Sequence, residues 1–259
     1  MVDFAISTSD FEYFLLVFVR MTSFMHLAPF YGEESVPSRF KVALSLFLSF
    51  IVFSLSNPRE VAYETLLQYG FLIIKEAVVG LLIGLGAMMC MHMVTMAGRL
   101  IDMEIGLSAA SLMDPTFRDS ATITGVFYKF IFTALIITTG TYQYILKAIM
   151  QTYELIPIGG VHPAMGSLLE TITSFMGQYF LISFQIALPV FAVILTMNVV
   201  LAVLAKVAPQ MNLFAVGMQI KILAGLAVVY IAMWVIPLAA ELLFKQMRTM
   251  IVSIVEGLM

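Results

Sequence analysis

The sequence predicts an all-α protein that is embedded in a membrane as part of a larger complex. Of its 259 residues, 61% are hydrophobic and only 11% carry a charge, whereas soluble domains contain about 45–50% apolar and about 25% charged residues. A soluble chain of this length could not bury so much apolar surface in a single core. Most of the chain is therefore expected to contact lipid or other protein.

Long apolar segments predict where the helices lie. A helix needs about 20 apolar residues to cross a bilayer core of about 30 Å. Several of the segments approach or exceed 30 residues, which corresponds to roughly 45 Å at about 1.5 Å per residue. We expect such helices to tilt, break or project beyond the bilayer, forming long, kinked hairpins. The segments are 11–30, 40–55, 66–97, 121–150, 175–205 and 213–244.

Prolines and glycines indicate breaks and close contacts. Pro189 and Pro237 fall inside the fifth and sixth segments, where a missing backbone N–H is expected to break or kink a helix. Gly80 and Gly84 form a small-xxx-small pair, which permits the close approach of a neighbouring helix. Glycine is also simply common in membrane helices, so both interpretations of this pair remain open.

Charged residues stand near the middle of several apolar segments. A lysine or arginine at the bilayer centre costs about 2.5–3.5 kcal/mol on insertion scales, so these side chains should not face lipid. Intramolecular ion pairing is one explanation, and burial in a pore or a protein assembly is the other. The assembly explanation leads us to expect a chain that is stable only within a hetero-oligomer. The residues are Arg20, Lys75, Glu76, Lys129 and Lys221.

The composition argues against two functional classes. The net charge of −3 gives no concentrated basic patch for nucleic acid. The only histidines, His26, His92 and His162, lie in different segments, and no hydrolase, zinc-protease or phosphate-loop motif is present. We expect neither enzymatic activity nor a cofactor.

Two transport functions remain as alternatives. Met89, Met93 and Met96 follow one helical face beside Cys90, and soft sulfur ligands suit Cu(I), although methionine also fills gaps between packed helices. Proline-broken helices with buried charges are found in secondary transporters. A secondary transporter of small molecules or metal ions is therefore the alternative function.

Three stretches resemble one known family. The first spans 28–44, with an apolar-Pro-x-x-Gly turn followed by Pro-x-Arg. The second, 106–115, is a run of small and apolar residues that ends in Asp-Pro. The third, 204–223, contains Lys-x-x-Pro-Gln-x-Asn and a later lysine. Together, in this order and at these separations, they are similar to the FliR/SctT family of type III secretion export-gate subunits.

The resemblance implies both a fold and a function. FliR-like proteins assemble with several copies each of FliP and FliQ into a helical, closed cone with a central channel. Residues 1–173 would form a FliP-like part, and residues 174–259 a FliQ-like hairpin and C-terminal tail. FlhB would surround the cytoplasmic mouth, with FlhA beneath it. Unfolded flagellar subunits would pass through the channel at the flagellar basal body in the bacterial inner membrane, in contact with membrane lipid.

The second stretch is predicted to form part of the plug of the closed channel. It has no charge between Gly106 and Met113 and little bulk, so it could fill a narrow pore and yield to a passing polypeptide, and its Asp-Pro would end it in a rigid turn. A buried connector between helices is the alternative. The predicted plug residues are Gly106, Leu107, Ser108, Ala109, Ala110, Ser111, Leu112, Met113, Asp114 and Pro115.

A second set of residues is predicted to make the polar contacts of the assembly. Lys206 and Lys221 are expected to hold the C-terminal hairpin in place. The full set is Arg20, Arg39, Lys75, Glu76, Lys129, Lys206, Pro209, Gln210, Asn212 and Lys221.

Overall fold

The computed structural model describes residues 8–56, 61, 63–108, 122–161, 163–208 and 213–259. Within these residues all regular secondary structure is helical, which confirms the all-α prediction. The helices are α1 (Thr8–Leu27), α2 (Ser38–Leu55), α3 (Leu66–Ile105), α4 (Ile123–Thr138), α5 (Thr141–Leu155), α6 (Met165–Val207), α7 (Leu213–Ala232) and α8 (Ile236–Leu258), with a 3₁₀ turn (Met233–Val235) between the last two.

Several helices could cross a membrane, as predicted. In the part of the chain that the structure describes, Ser38–Leu55, Leu66–Ile105, Met165–Val207 and Val216–Leu258 are long and apolar enough, and α4 with α5 would add one span if the bent pair counts as one. The helices α3 and α6 contain 40 and 43 residues, which at about 1.5 Å per residue gives roughly 60 Å. Both exceed the thickness of a bilayer core of about 30 Å.

The predicted segment 121–150 is two helices rather than one. α4 and α5 meet at a bend of 71°, and Gly140 between them has a φ of 71°. This left-handed conformation is accessible to glycine at little cost. The signal in the sequence was the run Thr138-Thr139-Gly140, since both β-branched residues and glycine are poor helix formers.

The two prolines behave differently. The 3₁₀ turn Met233–Val235 lies directly before Pro237, and the N–H of Ile236 bonds to the carbonyl of Met233. The backbone hydrogen bonds therefore change from the α-helical to the 3₁₀ pattern in the turn before Pro237, which has no N–H to donate. By contrast, Pro189 lies inside α6, so the expectation of a break there is wrong. A helix of this length tolerates one missing hydrogen bond.

The chain forms two compact units. The first contains Met1–Met89, Ile136–Phe175 and Gln246–Met259. In it α1 and α3 run parallel, because residues later in α1 contact residues later in α3. Near the start of both helices the hydroxyl of Tyr69 donates to the carbonyl of Glu12, and further along Gly84 faces Phe24. The buried face of α1, which includes Leu16 and Met21, supplies much of the core.

A close approach of α1 explains both glycines of the small-xxx-small pair. A Cβ added at Gly80 would lie 2.2 Å from the carbonyl oxygen of Arg20, and one at Gly84 would lie 2.9 Å from that of Phe24. Any side chain at these positions would push the two backbones apart. Of the two interpretations of this pair, the structure therefore confirms close packing.

The second unit contains Cys90–Leu135 and Met176–Lys245. Its core includes Ile101 of α3, Phe132 of α4 and Ile194 of α6, all fully or almost fully buried. The hydroxyl of Ser183 on α6 donates to the carbonyl of Met93 on α3 at 3.0 Å. Within a membrane the hydrophobic effect does not drive helices together, so side-chain hydrogen bonds of this kind help to join them.

Candidate functional site

A buried ion pair lies at the centre of the first unit. Nε of Arg20 on α1 is 2.5 Å from Oε2 of Glu76 on α3, and neither side chain is exposed. Two charges can be buried together only if they compensate each other, because each alone carries a desolvation cost of several kcal/mol. For these two residues, the structure confirms intramolecular ion pairing.

The guanidinium of Arg20 also caps the C-terminal end of α5. Its Nη1 donates to the carbonyls of Thr152, at 3.3 Å, and Ile156, at 3.0 Å. The last carbonyls of a helix lack intrahelical donors and carry partial negative charge, so a cation stabilises them. The guanidinium also lies 4.7 Å from the ring centroid of Tyr153, whose hydroxyl donates to the carbonyl of Val17.

The carboxylate of Glu76 extends this network to the turn after α5. Its Oε1 accepts the backbone N–H of Gly159 at 3.0 Å. One ion pair thus joins α1, α3, α5 and the turn at 157–160. We call Arg20, Glu76 and their partners the polar clamp. These bonds link the three helices and the turn to one another, while Nη2 of Arg20 is buried without a hydrogen-bond partner among the described residues.

A second buried carboxylate joins α3 and α4 in the second unit. Asp102 is 1% exposed, and it accepts the backbone N–H of Thr124 at 3.1 Å and the hydroxyl of the same residue. Thr124 lies in the first turn of α4, where backbone N–H groups are free and the helix dipole favours an anion. The segment between α3 and α4 contains the predicted plug, so Asp102 holds the two ends of that segment together.

The described start of the plug segment leaves α3 in a tight turn. Gly106 has a φ of 94° and donates to the carbonyl of Asp102 at 3.1 Å. The hydroxyl of Ser108 donates to the same carbonyl at 3.2 Å, and Leu107 is partly exposed. The remaining predicted plug residues, Ala109, Ala110, Ser111, Leu112, Met113, Asp114 and Pro115, lie outside the described residues.

Comparison with known proteins identifies the family. The family model for bacterial export proteins, family 1, matches residues 11–247. The chain belongs to this family. It is 30% identical to the flagellar biosynthetic protein FliR of Bacillus subtilis over 231 residues, which covers 87% of this chain and 88% of that protein. It is 24% identical to FliR of Escherichia coli over 240 residues (93% and 91%), and 26% identical to FliR of Aquifex aeolicus over 224 residues (85% and 84%).

In this member of the export family, Lys75 is separated from the clamp. It is exposed on α3 while its neighbour Glu76 is buried, because adjacent residues on a helix point about 100° apart. Exposed apolar residues surround it on α3, among them Phe71, Ile74 and Val78. The structure therefore does not bring Lys75 together with Arg20 and Glu76.

The other predicted polar residues are dispersed. Arg39 is exposed at the start of α2, and Lys206 is exposed near the end of α6. Lys129 on α4 and Lys221 on α7 are partly exposed. Pro209, Gln210 and Asn212 lie outside the described residues.

Two structural side chains were missed by the sequence interpretation. Lys41 lies in the first of the three motif stretches, 28–44, and was not predicted to make a contact. It is 8% exposed, and its Nζ donates to the carbonyl of Gly32 at 2.8 Å, which ties α2 to the turn before it. Asp102 was not singled out at all. The signal for Asp102 was a carboxylate near the end of an apolar segment, before a short helix with threonines in its first turn.

Proposed function

We propose that this chain is a core subunit of the flagellar type III protein-export gate. In this proposal it forms, with FliP and FliQ, the channel through which unfolded flagellar subunits leave the cytoplasm. The observation that carries the proposal is the family match over residues 11–247. Relatives that are named flagellar biosynthetic proteins also align with this chain over nearly their whole length. The family and the apolar helices together support a place in the bacterial inner membrane, at the flagellar basal body.

The exposed surface supports assembly with other proteins. Only 17% of the most apolar 18-residue stretch of α6 is buried within the chain, and large apolar side chains are exposed along the helix from Leu169 to Val207. The whole of α6 is roughly twice as long as a bilayer core is thick. Apolar surface that extends beyond the hydrocarbon region needs protein cover, because water would otherwise reach it. FliP and FliQ would supply this cover, with FlhB and FlhA at the cytoplasmic side.

In this proposal residues 1–173 form a FliP-like part and residues 174–259 a FliQ-like part. The boundary falls inside α6, Met165–Val207, so the two parts would share one helix. A continuous helix across the boundary would couple the C-terminal hairpin mechanically to the part that precedes it.

The segment Gly106–Pro115 is proposed as part of the channel plug. The support is that residues 106–113 carry no charge and have little bulk, and that the connection between α3 and α4, which contains the segment, is held at its two ends. Asp102 bonds Thr124 across the ends, so the segment is anchored at its base whatever the path of its tip. An anchored loop can be displaced by a polypeptide and return, because its ends do not separate.

Exposed and partly exposed cations are proposed as assembly contacts. Lys75 and Lys221 both lie in long apolar helices, where a cation facing lipid is costly. Carboxylates or carbonyls of neighbouring subunits would offset this cost. Arg39, Lys129 and Lys206, with the turn residues Pro209, Gln210 and Asn212, belong to the same proposed set, while Arg20 and Glu76 would act through the clamp.

The proposal is tested by co-expression of the chain with FliP and FliQ from the same bacterium. The complex is purified through a tag on this chain and its mass is measured by native mass spectrometry. We expect one discrete complex with a single copy of the tagged chain, and no FliP or FliQ from cells that carry the untagged chain. A stable, monodisperse monomer or homodimer without partners would refute the proposal.

A further inference from the structure

One exposed line of residues on α6 carries two glutamines and a threonine, although most of the helix is apolar. Gln178, Gln185 and Thr196 are all exposed. At about 100° per residue, positions 178, 185 and 196 lie within about 20° of each other around the helix. Pro189 and Ala192, also exposed, extend the same line. We call this line of five residues the glutamine seam.

The seam differs from the exposed face beside it. That neighbouring face carries Phe180, Phe184, Leu188 and Leu195, which are 43–59% exposed. Large apolar side chains of this kind suit contact with lipid. The opposite side of α6 is buried in the second unit through residues such as Ile182 and Ile194. The two glutamines thus lie on a strip between the buried face and the apolar exposed face, whereas other polar residues of α6, such as Glu170 and Asn198, lie elsewhere around the helix.

Among the described residues, the side-chain hydrogen-bonding groups of both seam glutamines are unused. In the part that the structure describes, neither the Gln178 nor the Gln185 side-chain amide has a hydrogen-bond partner, whereas the Thr196 hydroxyl bonds to the Ala192 carbonyl of its own helix. Pro189 has no backbone N–H, so the carbonyl of Gln185 lacks its usual donor four residues on. Such groups are unfavourable in hydrocarbon unless a partner satisfies them.

The spacing of the seam fits a packed helix. Three of the seam positions, 178, 185 and 192, are separated by seven residues, which is the repeat of two helices that cross at a shallow angle. Ala192 leaves room for a partner side chain between the polar positions. A helix in this position could form a hydrogen bond at each glutamine, and its backbone need not approach unusually closely.

A cleft next to the seam would accept an apolar side chain of the same partner. Gln185 and Pro189 line one wall of it, and Val235 and Leu242 lie on the other, with Tyr128 also lining it. All of these residues belong to the second unit. The cleft is lined almost entirely by apolar groups, so the polar contacts of a bound helix would be confined to the seam.

We propose that the glutamine seam binds a membrane-embedded helix of another protein chain. The partner helix would carry Gln, Asn, Ser or Thr at two positions seven residues apart, and an apolar side chain that enters the cleft. The hydrogen-bonding groups favour a protein helix over lipid, because acyl chains offer no donor for the Gln185 carbonyl. This inference rests on the proposed function only for the identity of the partner as a subunit of the export gate.

The first test uses substitutions that should weaken the binding of a protein helix but not contact with lipid. Gln178→Leu with Gln185→Leu removes the hydrogen-bonding groups and keeps a similar volume. Phe180→Leu with Phe184→Leu on the neighbouring face is the matched control. In the FliP and FliQ co-expression, we expect the glutamine variant to lower co-purified partner at least about tenfold at unchanged membrane level of this chain, and the control to change it less than about twofold. A glutamine variant with unchanged or increased partner would overturn the proposal.

The second test identifies the occupant directly. A photo-crosslinking amino acid is placed at position 185, or at Phe184 as a control, in the full chain in its native membrane. We expect a crosslink from position 185 that maps to an apolar segment of a different chain with hydrogen-bonding residues seven apart. A crosslink to lipid only, to a second copy of this chain, or to nothing would overturn the proposal.

The two tests also separate this inference from the proposed function. If the unaltered chain fails to co-purify FliP and FliQ, the export-gate proposal fails. The crosslink from position 185 still decides the seam, because it is formed in native membranes with whatever chain lies there.

Discussion

The polar clamp predicts strong non-additivity between substitutions at Arg20 and Glu76. Arg20→Met alone leaves the Glu76 carboxylate buried without its cation, and Glu76→Leu alone leaves the Arg20 guanidinium without its anion. Neither side chain is exposed, so water cannot compensate. Loss of one partner of a buried ion pair costs about 3–5 kcal/mol, which gives about 6–10 kcal/mol for the sum of the two single variants.

The double variant is expected to be far less destabilised than that sum. It removes both charges together and loses the hydrogen bonds to the carbonyls of Thr152 and Ile156 and to the N–H of Gly159. At a net value of about 1 kcal/mol for each hydrogen bond, the expected loss is about 3 kcal/mol. The coupling free energy between the two sites should therefore be at least about 3 kcal/mol.

Denaturant unfolding of the detergent-solubilised protein, followed by far-UV circular dichroism, measures these free energies. All variants are compared in one detergent and, where the chain requires its partners, in the assembled complex. A Lys75→Met variant on the exposed side of the same helix is the control, and its effect should add to those of the clamp variants. Additivity of Arg20→Met and Glu76→Leu within about 0.5 kcal/mol would refute the clamp, since independent sites behave in that way.

Other predictions concern packing, the plug and the assembly. Gly80→Ala should destabilise the chain by about 1–3 kcal/mol in the same unfolding assay, because its Cβ would overlap the Arg20 carbonyl; Gly70→Ala, with nothing within 4 Å, is the control and should be neutral or stabilising. Deletion of residues 107–112 should raise the ion conductance of the assembled gate in planar bilayers, and unchanged conductance would rule out the plug. Asp102→Ala should also raise the ion conductance of the assembled gate, since α3 and α4 would no longer be joined at the base of the plug segment. Normal yield of the complex with unchanged conductance would contradict this. Lys221→Met should lower the yield of the FliP and FliQ complex at equal expression, and a normal yield would exclude Lys221 as an assembly contact.

Much of the architecture could be predicted from composition and periodicity. Apolar runs of about 30 residues predicted helices longer than a bilayer requires, and α3 and α6 confirm them. The break at 140 was missed although threonine and glycine are poor helix formers, because glycine is also common inside membrane helices and does not by itself mark an end. The continuity of α6 through Pro189 was also missed, because a sequence does not show whether neighbouring turns compensate for one lost donor.

The candidate site was predicted only in part. The positions of Arg20 and Glu76 in apolar segments identified them as buried charges, but so did those of Lys75, Lys129 and Lys221. Adjacent residues such as Lys75 and Glu76 look alike in a hydropathy profile, and only the helix rotation separates an exposed cation from a buried anion. Asp102 gave a weak signal because its partners are a backbone N–H, which every residue but proline carries, and the hydroxyl of one threonine among many.

By itself, the sequence determined that this protein is helical, lies in a membrane and belongs with the export proteins, because composition, segment length and ordered motifs are local properties of a chain. Tertiary structure alone decided which charges neutralise each other, which glycines face a backbone and which polar residues of α6 stay exposed. These outcomes depend on helix rotation and on contacts between residues such as Arg20 and Glu76, which are 56 positions apart. The free energy of a buried charge is set by the groups within a few ångströms of it, and those groups are brought together only by the fold.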